Sequence, residues 1–244
     1  MSLPCPDARL RSAAELVRQG AVFADIGTDH AYLPLFLLSE GKIRRAVCAD
    51  IGEGPLATAR AHAADTPYAE KMTFVLTDGL SGLKDEGLTD IAVCGMGGEL
   101  IADIIGRAPF VRHPDIRLIL GPMTRQETLR DALAASGFSV EKNVYSFAEG
   151  RYYVTFCAHF DGFSRRISPA EAVLGEDIDE HLCDENCIGY MTRKYTALLR
   201  AEEGRRMGRI DVGREHPMRL AVGEFLTRAG RPPVHDPQRK ETPV

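Results

Sequence analysis

The chain has 244 residues, 44% hydrophobic and 27% charged, with a formal net charge of −5, which describes a folded protein with one sizeable core and a smaller appendage and excludes intrinsic disorder. No apolar run approaches the roughly 20 residues that a bilayer-spanning helix needs, and the opening MSLPCPDARLRSAAEL has no signal-peptide core, so no membrane association and a cytoplasmic location are expected. The charge is unevenly divided: residues 1–189 hold 18 Lys/Arg against 28 Asp/Glu, whereas residues 190–244 hold 12 against 7, which fits either a polyanion partner or a helical pair with solvated arginine faces.

Ala8 to Gly20 puts Leu10, Ala13, Ala14 and Val17 on one stripe and ends in glycine, the pattern of an amphipathic helix. Seven short apolar runs follow, AVFADIG from 21, RAVCADI from 45, MTFVLTDG from 72, DIAVCGMGG from 90, IRLILGPM from 116, VEKNVYSF from 140 and YYVTFCAHF from 152. The first five alternate with the helical stretches PLFLLSEG, GPLATARAHAAD, GELIADIIG and TRQETLRDALAASG, which implies a parallel sheet covered on both faces. No helix lies between the last two runs, and AEG at 148 reads as a hairpin turn. After a turn-rich linker from Asp161, the chain reads as helical over Pro169 to Leu174, Cys187 to Arg206 and Pro217 to Ala229, and it closes in a proline-rich tail.

Of six cysteines (Cys5, Cys48, Cys94, Cys157, Cys183, Cys187), Cys48, Cys94 and Cys157 sit in strand-like runs as small hydrophobes, and no disulfide framework or zinc site follows. Cys183 and Cys187 lie one helical turn apart beside His181, a conceivable metal pair, but no second ligand pair follows at zinc spacing; no metal is expected.

The polar residues collect where these strands end, and in an open α/β sheet ligands bind beyond the carboxyl ends at the point of strand-order reversal. After strand one come Asp25, Gly27, Thr28, Asp29 and His30; after strand two, Asp50 and Ile51; after strand three, Asp78 and Gly79; after strand four, Gly95, Met96, Gly97 and Gly98. A dinucleotide loop uses three glycines to bring backbone amides to a pyrophosphate, and DIGTDH has one. A cofactor without phosphates is expected, and S-adenosyl-L-methionine meets that demand: Gly27 allows close backbone approach, Asp25 can face its ammonium, and Asp50 can accept from both ribose hydroxyls. Asp78 can accept from the adenine amine, Gly79 leaving room for the ring, and the glycine-rich turn at Gly95–Gly97 opens a helix beside the transferred methyl. Each acid taken alone reads equally well as a turn or helix cap.

Five parallel strands closed by an antiparallel hairpin are similar to the sheet of the class I methyltransferases, a Rossmann-like α/β fold of seven strands with the last antiparallel, and the resemblance implies the strand order 3-2-1-4-5-7-6. ADIGTDHAYLPLFLL, ADIGEGPLATAR, TDGL, GMGGELI and LILGPM, over about residues 8 to 160, together resemble the bacterial tRNA (adenine-N1)-methyltransferases that modify adenine 22. That resemblance implies a methyltransferase domain over 1–162, a small C-terminal α-helical domain over 163–232 that contacts tRNA, and a loose tail over 233–244.

The implied reaction is in-line displacement on the cofactor methyl by N1 of adenine. A carboxylate facing the base would offset the positive charge or accept a proton, and Asp29 is the candidate, with His30 orienting it and Tyr32 stacking on the extruded base; Met96 and Gly97 would flank the methyl. Ordinary packing at a helix start accounts equally well for His30 and Tyr32. Candidate phosphate contacts are Arg9, Arg11, Arg125, Arg193, Lys194, Arg200, Arg205 and Arg206. The rival readings are a small-molecule methyltransferase, favoured by the acidic body, and a non-catalytic protein that binds S-adenosylmethionine or RNA; a nicotinamide oxidoreductase is disfavoured by the missing glycines.

Overall fold

The computed structural model describes residues 7–83, 87–207 and 216–233, apart from the side chains of Arg206 and Met207. Cys5, the Arg206 side chain and nearly all of the proline-rich tail lie outside the described residues. In chain order the elements are α1 (Ala8–Leu16), β1 (Ala21–Ile26), α2 (Tyr32–Ser39), β2 (Ile43–Asp50), α3 (Glu53–Ala64), β3 (Met72–Leu76), β4 (Asp90–Cys94), α4 (Gly98–Gly106), β5 (Arg117–Gly121), α5 (Gln126–Ala135), β6 (Phe138–Ala148), β7 (Arg151–Phe160), α6 (Pro169–Leu174), α7 (Glu185–Met207) and α8 (Pro217–Arg228), with single turns of 3-10 helix between some of them.

The strands form one seven-stranded sheet in the order β3-β2-β1-β4-β5-β7-β6. β1 to β5 run parallel, and β7 runs antiparallel to both β5 and β6. This is the Rossmann-like methyltransferase sheet that the sequence predicts, with three helices after it. Continuous apolar strands are buried on both faces, and their period of two sorts side chains between two cores. Phe23, Cys48, Ala92 and Ile119 pack with α1, α2 and α3. Val22, Ala24, Ile26, Val47, Val93 and Leu120 face the other way, against α4 and α5. Val173 of α6, Ile188 and Met191 of α7, and Phe225 and Leu226 of α8 belong to that second core, which also holds Tyr145 and Val154 of the hairpin.

The main departure from the sequence reading is α1, which ends at Leu16 rather than running to Gly20. Val17 is extended (φ −70°, ψ 136°), and the Arg18 backbone N–H and Nε both donate at 2.9 Å to the buried Asp90 carboxylate at the start of β4. A long-range pair thus claims the residues that would have continued the helix. No described helix is long and apolar enough to cross a membrane.

Candidate active site

The carboxyl ends of β1, β2 and β4 border a cleft of about 510 Å³. β1 pairs with β2 on one side and β4 on the other, so the cleft lies where the strand order reverses.

The turn after β1 is pinned to its neighbour: the N–H groups of Gly27 and Thr28 donate to the Ala49 carbonyl of β2 at 2.8 and 3.1 Å, and Asp29 N–H donates to the Gly27 carbonyl. Gly27 has φ +79°, a left-handed backbone that favours glycine, and it lies so near the β4 loop that an added Cβ would be 2.6 Å from Met96 Cε. Asp25 is 9% exposed at the cleft floor. Burial pushes its pKa up to about 6, the neighbouring Thr28 hydroxyl opposes the rise, and the charge of Asp50 adds to it. A carboxyl held in that state gains most from a cation entering the cleft. Asp50 ends β2, and its Oδ1 accepts from the Gly52 N–H at 2.7 Å, leaving further lone pairs for a ligand diol.

Beyond the turn, Asp29 is exposed, with His30 Nε2 3.2 Å from its Oδ2. Ala31 adopts the left-handed conformation (φ 55°) as the N-cap of α2, a strained arrangement for a non-glycine residue that sets His30 and Tyr32 side by side. Their rings stack with centroids 5.0 Å apart, and His62 of α3 completes the group at 5.4 and 5.5 Å. His62 Nδ1 lies 3.1 Å from the His30 carbonyl oxygen; a carbonyl only accepts, so this nitrogen carries the proton.

Asp25, Gly27, Asp29, His30, Tyr32, Asp50, Gly95 and Met96 therefore line one cleft. The other sequence candidates stand apart from its wall. Thr28 is buried beside Asp25 and Ile51 is 73% exposed. Gly97 caps α4 and bridges to Thr124, and Gly79 packs on Ile104. Asp78 is held by Arg107 at 2.8 and 3.4 Å, which draws its carboxyl below the usual range.

The start of α1 also lines the cleft, through Asp7, Arg9 and Leu10. Arg9 lies over the Tyr153 ring, 5.9 Å from its centroid, and 3.7 Å from Asp7. Its sequence reading as a phosphate contact carried no hint of this position, because nothing local to residues 7–10 records that α1 folds back over the sheet edge. His62 gave no signal either, since it lies 32 residues from the His30 it supports. Among the other cationic candidates, Arg125, Arg193 and Lys194 line a second cleft, Arg11 and Arg200 are exposed and Arg205 half-buried. Cys183 is exposed and Cys187 buried, and no group of three or more metal-ligating side chains occurs among the described residues.

The donor set suits a zwitterionic amino acid joined to a nucleoside: an acid in need of a cation at Asp25, a guanidinium at Arg9, and a diol acceptor at Asp50. Comparison with known proteins agrees. Residues 7–156 match the family model described as a methyltransferase domain. The tRNA (adenine(22)-N(1))-methyltransferase of Bacillus subtilis (strain 168) is 31% identical over 163 residues, covering 64% of this chain and 68% of that one. Streptococcus pneumoniae Sp1610, in a crystal structure with S-adenosyl-L-methionine, superposes with a TM-score of 0.77 at 27% identity over 89% of this chain and 98% of that one. The B. subtilis M1A22 tRNA methyltransferase TrmK superposes with a TM-score of 0.73 at 23% identity over 94% and 97% of the two chains, a likeness of fold.

Proposed function

This chain belongs to the tRNA (adenine(22)-N(1))-methyltransferase family, and from that premise we propose how its cleft holds S-adenosyl-L-methionine and directs the methyl group to N1 of adenine 22 in tRNA. The observation that carries the reading is the buried Asp25 carboxyl, its pKa raised to about 6, in a cleft that also holds Arg9, Asp50, Asp29 and the His30–Tyr32 pair. Asp25 receives the cofactor's ammonium, Arg9 its carboxylate and Asp50 its ribose hydroxyls, while Gly27 and Gly95 give the chain close backbone approach. The bound cofactor supplies an electrophilic methyl on a sulfonium.

Asp29 and the stacked rings address the base. Adenine N1 normally faces a pairing partner, so the nucleotide must leave its stack, and Tyr32 and His30 offer a flat surface to receive it. The N1 lone pair forms the new bond to the methyl carbon as the bond to sulfur breaks, leaving positive charge on the base. We assign Asp29 the role of the carboxylate that balances that charge or accepts the proton that the exocyclic amine can shed. His30 holds Asp29 through Nε2. Most of the rate enhancement then comes from positioning and electrostatics. A tRNA substrate fits a reaction in the cytoplasm. Mass-spectrometric mapping of tRNA incubated with the protein and cofactor is expected to find one methyl at N1 of adenine 22; a methyl at another base, or none, would overturn the assignment.

A further inference from the structure

A second cleft, of about 490 Å³, opens between the start of β7, the loop leading into α5, and α7. Its walls carry Arg125, Arg151, Arg193 and Lys194 together with Tyr152 and Tyr190. The counter-charge is small. Lys194 pairs with Glu127 at 2.8 Å, and Arg125 lies 4.0 Å from Glu99 with both side chains exposed. Arg151 and Arg193 are exposed and have no ion-pair partner among the described residues. Arg193 is instead held flat over the Tyr152 ring, 5.1 Å from its centroid. Gly189, one turn earlier on α7, makes that possible, since any side chain there would collide with the Tyr152 ring. Glycine within a helix costs about 1 kcal/mol relative to alanine, and here it admits the tyrosine that orients an unpaired guanidinium.

The cleft adjoins the active site. Met123 N–H donates to the Met96 carbonyl and Gly98 N–H to the Thr124 carbonyl, both at 2.8 Å, so the loop flanking the first cleft is bonded to the loop lining the second. Tyr152 and Tyr153 are successive residues of β7 and point to opposite faces: Tyr153 sits under Arg9 of the first cleft and Tyr152 under Arg193 of the second. An RNA strand whose target base enters the first cleft can therefore lay its backbone into the second without leaving this edge of the sheet.

We propose that the second cleft is a phosphodiester-binding subsite for the tRNA strand flanking the target nucleotide, with Arg151 and Arg193 as its charge contacts. The assignment rests on the tRNA reading above and goes beyond it by locating where the backbone is held. It explains why α7 is basic although the rest of the chain is acidic: α7 carries a cation to the end of the sheet where the chemistry occurs. A guanidinium held by stacking, as that of Arg193 is, suits phosphate recognition, because little side-chain freedom is lost when the anion arrives.

The test uses the full chain and fluorescently labelled tRNA, with anisotropy titrations at several salt concentrations. R151A/R193A, with R151Q/R193Q as a second form, is compared with wild type and with R44A/R112A, which removes as much charge from exposed residues at the amino end of the parallel strands. Losing two phosphate contacts is expected to weaken binding roughly tenfold or more in 0.1 M salt and to make the slope of log K against log salt shallower by about 1.5. R44A/R112A should remain within about threefold of wild type. In turnover assays the same R151/R193 pairs should raise KM for tRNA while kcat and cofactor affinity hold. A salt slope and KM unchanged in both forms would overturn the subsite, as would an equal loss in R44A/R112A. Failure of the methylation reading would show separately, as wild-type protein that forms no methyladenosine, and the anisotropy comparison would still decide the subsite.

Discussion

Asp25 shows how one residue can serve function at the expense of the fold. Its pKa of about 6 against an ordinary 3.8 means that the folded protein binds the proton more tightly than the unfolded chain does, so stability falls as pH rises from about 4 to about 6 and stays lowered above that, by about 3 kcal/mol for a shift of about two units. Asp25→Asn should therefore raise the melting temperature of the cofactor-free protein at pH 7.5 while its calorimetric affinity for S-adenosylmethionine collapses. In the wild type, cofactor affinity should weaken as pH drops below about 6, because the ammonium then meets a neutral acid; a flat profile between pH 5 and 8 would remove Asp25 from that contact. Asp29 is the contrasting case, an exposed acid with no burden on the core. Asp29→Ala should lower methyl transfer roughly 100-fold or more and leave cofactor affinity within a few-fold, and unchanged single-turnover rates would sink its role. The place of these two acids, Gly27 and Asp50 in one cleft was legible in the sequence because it follows from position at strand ends. Arg9 and His62 were not, because they reach the site through α1 and α3 across the fold. Asp78 was legible as a strand-end acid, but its pairing with Arg107 at the C-cap of α4 was not.

At the scale of elements, the strands and their order could be read because continuous apolar runs separated by helices admit few sheets, and the family resemblance supplied the sequence of neighbours. Element ends were harder, as α1 shows: its last turn gives way to the Arg18–Asp90 pair, whose partners are 72 residues apart. The β6–β7 hairpin was legible, although Ala148 and Arg151 belong to the strands rather than to the turn. AEG marked the turn, and Ala148 pairs with Arg151, leaving Glu149 and Gly150 as a two-residue loop with φ of 50° and 74°. Positive φ at both positions is the type I′ pattern, which favours asparagine ahead of glycine. Glu149→Asn should accordingly stabilise the protein by about 0.5–1 kcal/mol, read as a higher urea midpoint at constant m-value. A lower midpoint would show that the glutamate makes a compensating contact.

For the whole molecule, the question is whether the three C-terminal helices stand alone. The linker after Phe160 and the change in charge suggested a separate unit, but sequence pattern cannot show which face of α7 is covered, because that depends on the sheet it meets. In the folded chain Ile188 and Met191 of α7 and Phe225 of α8 share one apolar core with Leu118 and Val154 of the sheet. A buried ion pair joins α7 to α8 at the edge of that core: Arg219 Nε lies 2.6 Å from Glu202 Oε2, with side chains 7% and 6% exposed, and Arg219 Nη1 donates to the Tyr195 hydroxyl at 3.1 Å. Glu202→Ala would remove the carboxylate that balances the buried Arg219 charge, a loss of about 3–5 kcal/mol. If the core is continuous, that loss is felt by the whole chain: calorimetry should show one transition moved down by roughly 10 °C, with β-sheet and helical signals melting together. Two transitions, the helical one shifted and the sheet unmoved, would mean that α7 and α8 fold as a unit of their own, and the subsite that Arg193 brings to the sheet edge would then depend on a docking step rather than on the fold.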